Sequence, residues 1–156
     1  MALVRNVYLP DDLYYDPKDH LWSRLEDTGR VRIGMDQFGQ LAAGAVAYIK
    51  LLAVGKQIRK GRGFGSLEAG KYIGPLKAQV SGRIVEINPE VMAKPTLVNT
   101  DSYGRGWLVV IEPTDADADL RDRVQGAKAI QAWLEAEYSE VTDDESATPE
   151  SPVLTL

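Results

Sequence analysis

Between residues 20 and 113 the chain runs in short apolar–polar alternations broken by glycine-rich turns, the pattern of half-buried strands. "HLWSRLE" (20–26) and "RVRIGMD" (30–36) both alternate, and the "DTG" between them predicts a hairpin. "AVAYIKLL" (45–52) predicts a third strand, closed by the turn "AVGKQIRKG". "GFGSLEAG" (63–70) and "YIGPLKAQV" (72–80) predict two more, on either side of Lys71. "SG" at 81–82 is a tight turn, and "RIVEIN" (83–88) alternates cleanly after it. "GWLVVIEP" (106–113) is the last strand, with Trp107, Val109 and Ile111 expected on one face.

Helical signals are fewer. "MDQFGQLAAG" (35–44) predicts a short helix with Asp36 as N-cap and Gly44 as stop. "NPEVMAK" (88–94) predicts one turn, ended by Pro95. Beyond Thr114, Leu120, Val124, Ala127, Ile130 and Trp133/Leu134 recur at helical spacing, with Thr114, Asp115 or Asp117 as cap. That stripe predicts a C-terminal amphipathic helix docked on the sheets. From Ser139 onward, "SEVTDDESATPESPVLTL" reads as disordered. Many short strands with no βαβ rhythm make the fold mainly β, a small sandwich or barrel.

Composition narrows the chemistry. The 156 residues are enough for one domain with a core. With no cysteine, any redox chemistry must come from an added group, and thiolate metal sites are excluded. The single histidine, His20, leaves no His-based metal cluster and removes the usual partner of a nucleophilic triad. No apolar run approaches the ~20 residues of a membrane span, and the first twenty residues lack the apolar core of a signal peptide. A cytoplasmic location is the expectation. The net charge of −5 is uneven: seven acids and no base follow Lys128, leaving residues 1–128 at +2. The acidic end reads as a solvated tail, and no basic stripe with interleaved aromatics points to nucleic acid.

One octet carries a candidate site. "GSLEAGKY" (65–72) fits G-x-x-x-x-G-K-[ST] except at Tyr72. A phosphate loop needs a helix after its lysine, and Tyr72-Ile73-Gly74-Pro75 is a poor first turn. Tyr72 also lacks the Ser/Thr hydroxyl that would hold magnesium. Read as a hairpin, the octet presents Lys71 at a β-turn in which Gly70 is free to adopt a conformation denied to other residues. By position alone, Lys71 is equally an ordinary exposed lysine, one of eight.

The remaining motifs change that balance. "DHLW" (19–22), the "VG…RKG…FG…SLE" order of residues 54–68, "VSGRIVEIN" (80–88), "LVNTDSYGRGWLVVIEP" (97–113) and "AKAIQAWLEAE" (127–137) together resemble the glycine cleavage system H protein, a lipoyl carrier. The resemblance spans about residues 13–138. It implies a barrel-sandwich hybrid, the lipoyl/biotinyl-type antiparallel β-sandwich, with short helices and a C-terminal helix over residues 1–138, followed by an acidic disordered tail over 139–156. The family's attachment turn, Glu-Ser-Val-Lys-Ala, stands here as Glu68-Ala69-Gly70-Lys71-Tyr72. The resemblance therefore implies covalent lipoic acid on Lys71, with Glu68 read by the lipoate-attaching enzyme. Tyr72 and Ile73 read either as packing beneath the arm or as ordinary strand residues. Met-Lys-Met of biotin carriers and Asp-Lys-Ala of acyltransferase lipoyl domains are absent.

Such a protein is a non-catalytic carrier whose arm is the substrate of its partners, and a monomer is expected. Gly70 and Tyr72 depart from the turn pattern. With the acidic tail, they favour the related lipoate-binding proteins of sulfur oxidation, whose partner is a heterodisulfide-reductase-like complex. The alternative is carriage of the aminomethyl group among the three glycine cleavage enzymes.

Overall fold

The computed structural model describes residues 2–4 and 7–144. In chain order the elements begin β1 (Ala2–Val4), β2 (Val7–Leu9), β3 (Tyr14–Tyr15), β4 (Leu21–Leu25), β5 (Val31–Met35), α1 (Gln37–Ala43), β6 (Val46–Leu51) and β7 (Gln57–Ile58). They continue β8 (Gly63–Ala69), β9 (Ile73–Lys77), β10 (Gly82–Ile87), α2 (Pro89–Ala93), α3 (Leu97–Thr100), β11 (Val109–Pro113), α4 (Ala116–Leu120), β12 (Val124–Gln125) and α5 (Ala127–Asp144).

Three sheets form. The largest has seven strands in the order β12-β3-β4-β5-β11-β10-β7, the second is β6-β8-β9, and β1 pairs with β2. Every pairing is antiparallel. The first core joins the two larger sheets: Val46, Ile49, Phe64, Leu67 and Leu76 cluster with Val31, Ile33, Ile84, Val109 and Ile111. Each such side chain contributes about 1.5–3 kcal/mol by leaving water. The fold is the expected mainly β sandwich.

The second core gathers Val7, Leu9, Leu13, Tyr15, Trp22, Phe38, Ile130 and Leu134. Strand alternation feeds both cores, since Leu21 belongs to the first and Trp22 to the second. Trp22 lies opposite Gly34, where a Cβ would approach its indole to 2.6 Å. Trp107 does not share the face of Val109 and Ile111. It precedes β11, packs on the second core, and holds the Arg32 guanidinium 4.4 Å from its ring centre.

The C-terminal stripe is not one helix. Asp115 caps α4 through the Ala118 N–H, and then Val124 and Gln125 pair with Tyr15 and Tyr14. Gly126, at φ 93°, turns the chain into α5. Leu120 thus serves the first core, while Ile130 and Leu134 serve the second. Helix α5 continues to Asp144, beyond the expected boundary at 138. The rest of the acidic tail, 145–156, lies outside the described residues.

Candidate functional site

Lys71 sits at the turn joining β8 to β9. The register closes with Glu68 opposite Ile73, and the Ala69 N–H donates to the Tyr72 carbonyl at 2.7 Å. Gly70 and Lys71 are therefore the two central residues of a tight hairpin. Both of their amides are committed elsewhere: Gly70 N–H donates to the Ala45 carbonyl (3.1 Å) and Lys71 N–H to the Ala43 carbonyl (2.8 Å). The tip is thereby fastened to the end of α1. The Lys71 side chain is exposed and makes no hydrogen bond or ion pair among the described residues.

The end of α1 is itself held in place. Asp36 caps the helix by accepting from Gly39 N–H at 2.7 Å, and Gly44 closes it at φ 85°. A Cβ on Gly44 would stand 3.8 Å from Gly70 and Lys71 backbone atoms, so the two segments run close together. Asn99 of α3 locks them: its Nδ2 donates to Gln40 Oε1 and the Gly44 carbonyl, both at 2.9 Å. Its Oδ1 accepts from Val46 N–H at 2.9 Å. This positioning role was not assigned from sequence, although Asn99 lies in the matching stretch "LVNTDSYGRGWLVVIEP".

Gly70 does not need to be glycine for conformational reasons. Its φ is not positive, and nothing lies within 4 Å of a Cβ built there. Here the turn is shaped by amides bound to α1 rather than by left-handed backbone.

A cleft of about 300 Å³ opens beside Lys71. Its apolar lining includes the buried residues Leu21, Met35, Ala43 and Leu76, and Lys18, Asp19, His20 and Tyr72 add polar groups. Tyr72 folds back across Gly74, where a Cβ would collide with its hydroxyl, and donates to the Pro75 carbonyl at 3.2 Å. Burial, and then the Asp19 charge, raise the Tyr72 phenol above its ordinary value, so it is neutral in the working range. Ile73 does not join it in the cleft wall. Strand alternation places Ile73 beside Glu68 and Tyr48 on the opposite, outward face. Glu68 is exposed, with no hydrogen bond or ion pair among the described residues.

His20 links the cleft to α5. It is the only non-glycine residue at positive φ (57°) among the described residues. Its ring stacks on Phe38 (4.6 Å between centres) and on Trp133 (5.6 Å). Nδ1 stands 3.7 Å from the buried Asp36 Oδ2, and Nε2 stands 3.9 Å from Glu137 Oε1. Burial lowers the imidazole pKa, but Asp36, Glu137 and Asp16 together outweigh it, and the net shift is upward.

A two-sheet sandwich with a lysine on a fastened hairpin matches one family along most of the chain. The glycine cleavage H-protein family model matches residues 13–137. The chain belongs to the glycine cleavage H-protein family. It is 39% identical over 131 residues to glycine cleavage system H protein 2 of Aquifex aeolicus, covering 84% of this chain and 81% of that one. It is 38% identical to the H protein of Mycobacterium avium, covering 83% and 92%. The crystal structure of a glycine cleavage system H protein from Mycobacterium marinum superposes with a TM-score of 0.70 at 29% identity, covering 83% of this chain and 99% of that one.

H proteins are non-catalytic carriers with lipoate covalently held on a lysine. No helix among the described residues is long and apolar enough to cross a membrane.

Proposed function

We propose that Lys71 is the lipoyl attachment point and that the chain carries the aminomethyl group among the glycine cleavage enzymes. The exposed, unpaired Lys71 on a turn tied by both its amides to the Ala43–Ala45 segment that ends α1 is the observation that carries this reading. An attachment point must be reachable by an enzyme yet must not move relative to the domain that docks. An exposed side chain on a doubly anchored backbone meets both requirements.

The Lys71 amine forms an amide with the lipoate carboxyl and so gives up its charge. When bound, the lipoyl group supplies the redox sulfurs that a cysteine-free chain lacks. Anchoring the arm to a domain that docks on an enzyme raises its effective concentration at that enzyme's active site. The cleft beside Lys71, with its apolar floor, is at the small end of ligand-pocket volumes. Tyr72 supplies part of its wall next to the anchor, a place where apolar chain can rest out of water.

Sulfur-intermediate carriage was the first expectation from the turn and the tail. The relatives and the neighbouring structure are described as glycine cleavage proteins, and they support aminomethyl carriage instead. The departures at Gly70 and Tyr72 also carry less weight once the structure accommodates both within an anchored turn. Lipoylated protein should support glycine decarboxylation when mixed with the other glycine cleavage enzymes. An inert lipoylated protein in that assay would return the sulfur reading to first place.

A further inference from the structure

The outward face of the β6-β8-β9 sheet is made of residues that neither core uses. Its first cross-strand row reads Tyr48, Glu68, Ile73, and its second reads Lys50, Ser66, Pro75. Tyr48 is 58% exposed and Ile73 is 76% exposed, the two most exposed of the large hydrophobic side chains among the described residues. Between them stands Glu68, a carboxylate with no cation on it among the described residues.

The sheet's edges are poor templates for strand addition. β6 carries a register break between Val46 and Tyr48, and β9 has Pro75, which has no N–H to donate. A partner therefore meets side chains on the face rather than backbone at the rim. Tyrosine and aliphatic groups around one unpaired charge give a contact that expels water from that charge and strengthens its pairing.

We propose that Tyr48 and Ile73, flanking Glu68, form the surface on which the lipoate-attaching enzyme docks, through a cationic side chain over Glu68 and apolar contacts on either side. This rests on the reading of Lys71 as the attachment point. Reach selects the occupant. The attaching enzyme must bring its active site to Nζ of Lys71, a few bonds from a backbone two residues from Ile73. Enzymes that work at the far end of the finished arm are free to dock elsewhere. Lys50, exposed on the same face, adds a second charge of opposite sign, so the enzyme is oriented as well as attracted. In the reaction it guides, ATP and lipoate give lipoyl adenylate and pyrophosphate. The Lys71 amine then displaces AMP, forming the C–N bond and releasing a proton.

The test measures initial lipoylation rates of apo protein by intact mass, with a lipoate–protein ligase, ATP and free lipoate, for wild type, Tyr48→Ser, Ile73→Ser, the double variant and Lys71→Arg. Both surface positions are exposed, and far-UV circular dichroism checks that the fold is kept. The double variant is expected to lose about tenfold or more in kcat/KM for the apo protein, through KM, while still reaching one lipoyl group per chain. Unchanged KM in the double variant, with wild type modified and Lys71→Arg not, overturns the docking face and leaves the attachment site standing. Modification of Lys71→Arg at the wild-type rate removes the attachment reading itself. An apo dimer in sedimentation that Ile73→Ser dissociates would assign the face to a second copy of the chain, and would also overturn the proposal.

Discussion

Asn99 shows how one side chain can hold a site it does not touch. Its amide makes three hydrogen bonds, to Gln40, Gly44 and Val46, and the carbonyls that grip the hairpin tip belong to Ala43 and Ala45 within the same segment. Asn99→Ala leaves the Val46 N–H and the Gly44 carbonyl without these partners, at a cost of about 1–3 kcal/mol for such a loss. Urea unfolding should show a lower midpoint with unchanged slope. The two glycines near the lysine should respond in opposite ways. Gly70→Ala meets open space at ordinary φ and should stay within about 0.5 kcal/mol of wild type. Gly44→Ala puts a Cβ on a backbone at φ 85° and should cost roughly 1–3 kcal/mol. Equal effects of the two substitutions on thermal unfolding would show that turn conformation at Gly70 matters after all.

At the scale of elements, α5 is joined to α1 through His20. The imidazole lies between Phe38 of α1 and Trp133 of α5, with Asp36 and Glu137 at its two nitrogens. Its pKa is raised on folding, so the protonated form is the one the fold favours. The stabilisation is fully present below the ordinary histidine value of about 6.5 and is lost as pH rises through the raised folded value. The Tm difference between wild type and His20→Gln should therefore shrink as pH increases across that window. A gap that is flat or widens with pH would mean that stacking, rather than charge, joins the helices.

The strands of five or more residues, β4, β5, β6, β8, β9, β10 and β11, were legible in the sequence as apolar-rich runs bounded by glycine-rich turns, although not all alternate: Val109, Val110 and Ile111 of β11 are all buried. β3, β7 and β12 have two residues each, too few to show a period. The break between α4 and α5 was hidden for a different reason. Leu120, Val124, Ile130 and Leu134 keep helical spacing across it, so only Gly126 marks the change of direction. Lys71 and Glu68 were singled out in the sequence because their spacing matches a motif. The cleft and the anchoring of the tip were not, since they depend on α1 and α3 packing across the sheets, contacts between residues far apart in the chain.

On the scale of the whole molecule, two cores divide the work. The first joins the sheets and fixes the hairpin that bears Lys71, while the second seats α5 and β2 against the other side of β4. Gly74→Ala, which crowds the Tyr72 hydroxyl, should move Tyr72 out of the cleft wall with little effect on the rate of lipoylation, because the docking face lies on the other side of the sheet. A change in the tyrosine fluorescence or NMR environment at unchanged modification rate is the expected pattern. A large fall in that rate would tie the two faces together. Every role assigned to the hairpin depends on Lys71 carrying the lipoyl group. Intact mass after incubation with a lipoate–protein ligase, ATP and lipoate tests this most directly. One lipoyl addition on wild type and none on Lys71→Arg is the expected result, and an addition that persists in Lys71→Arg contradicts it.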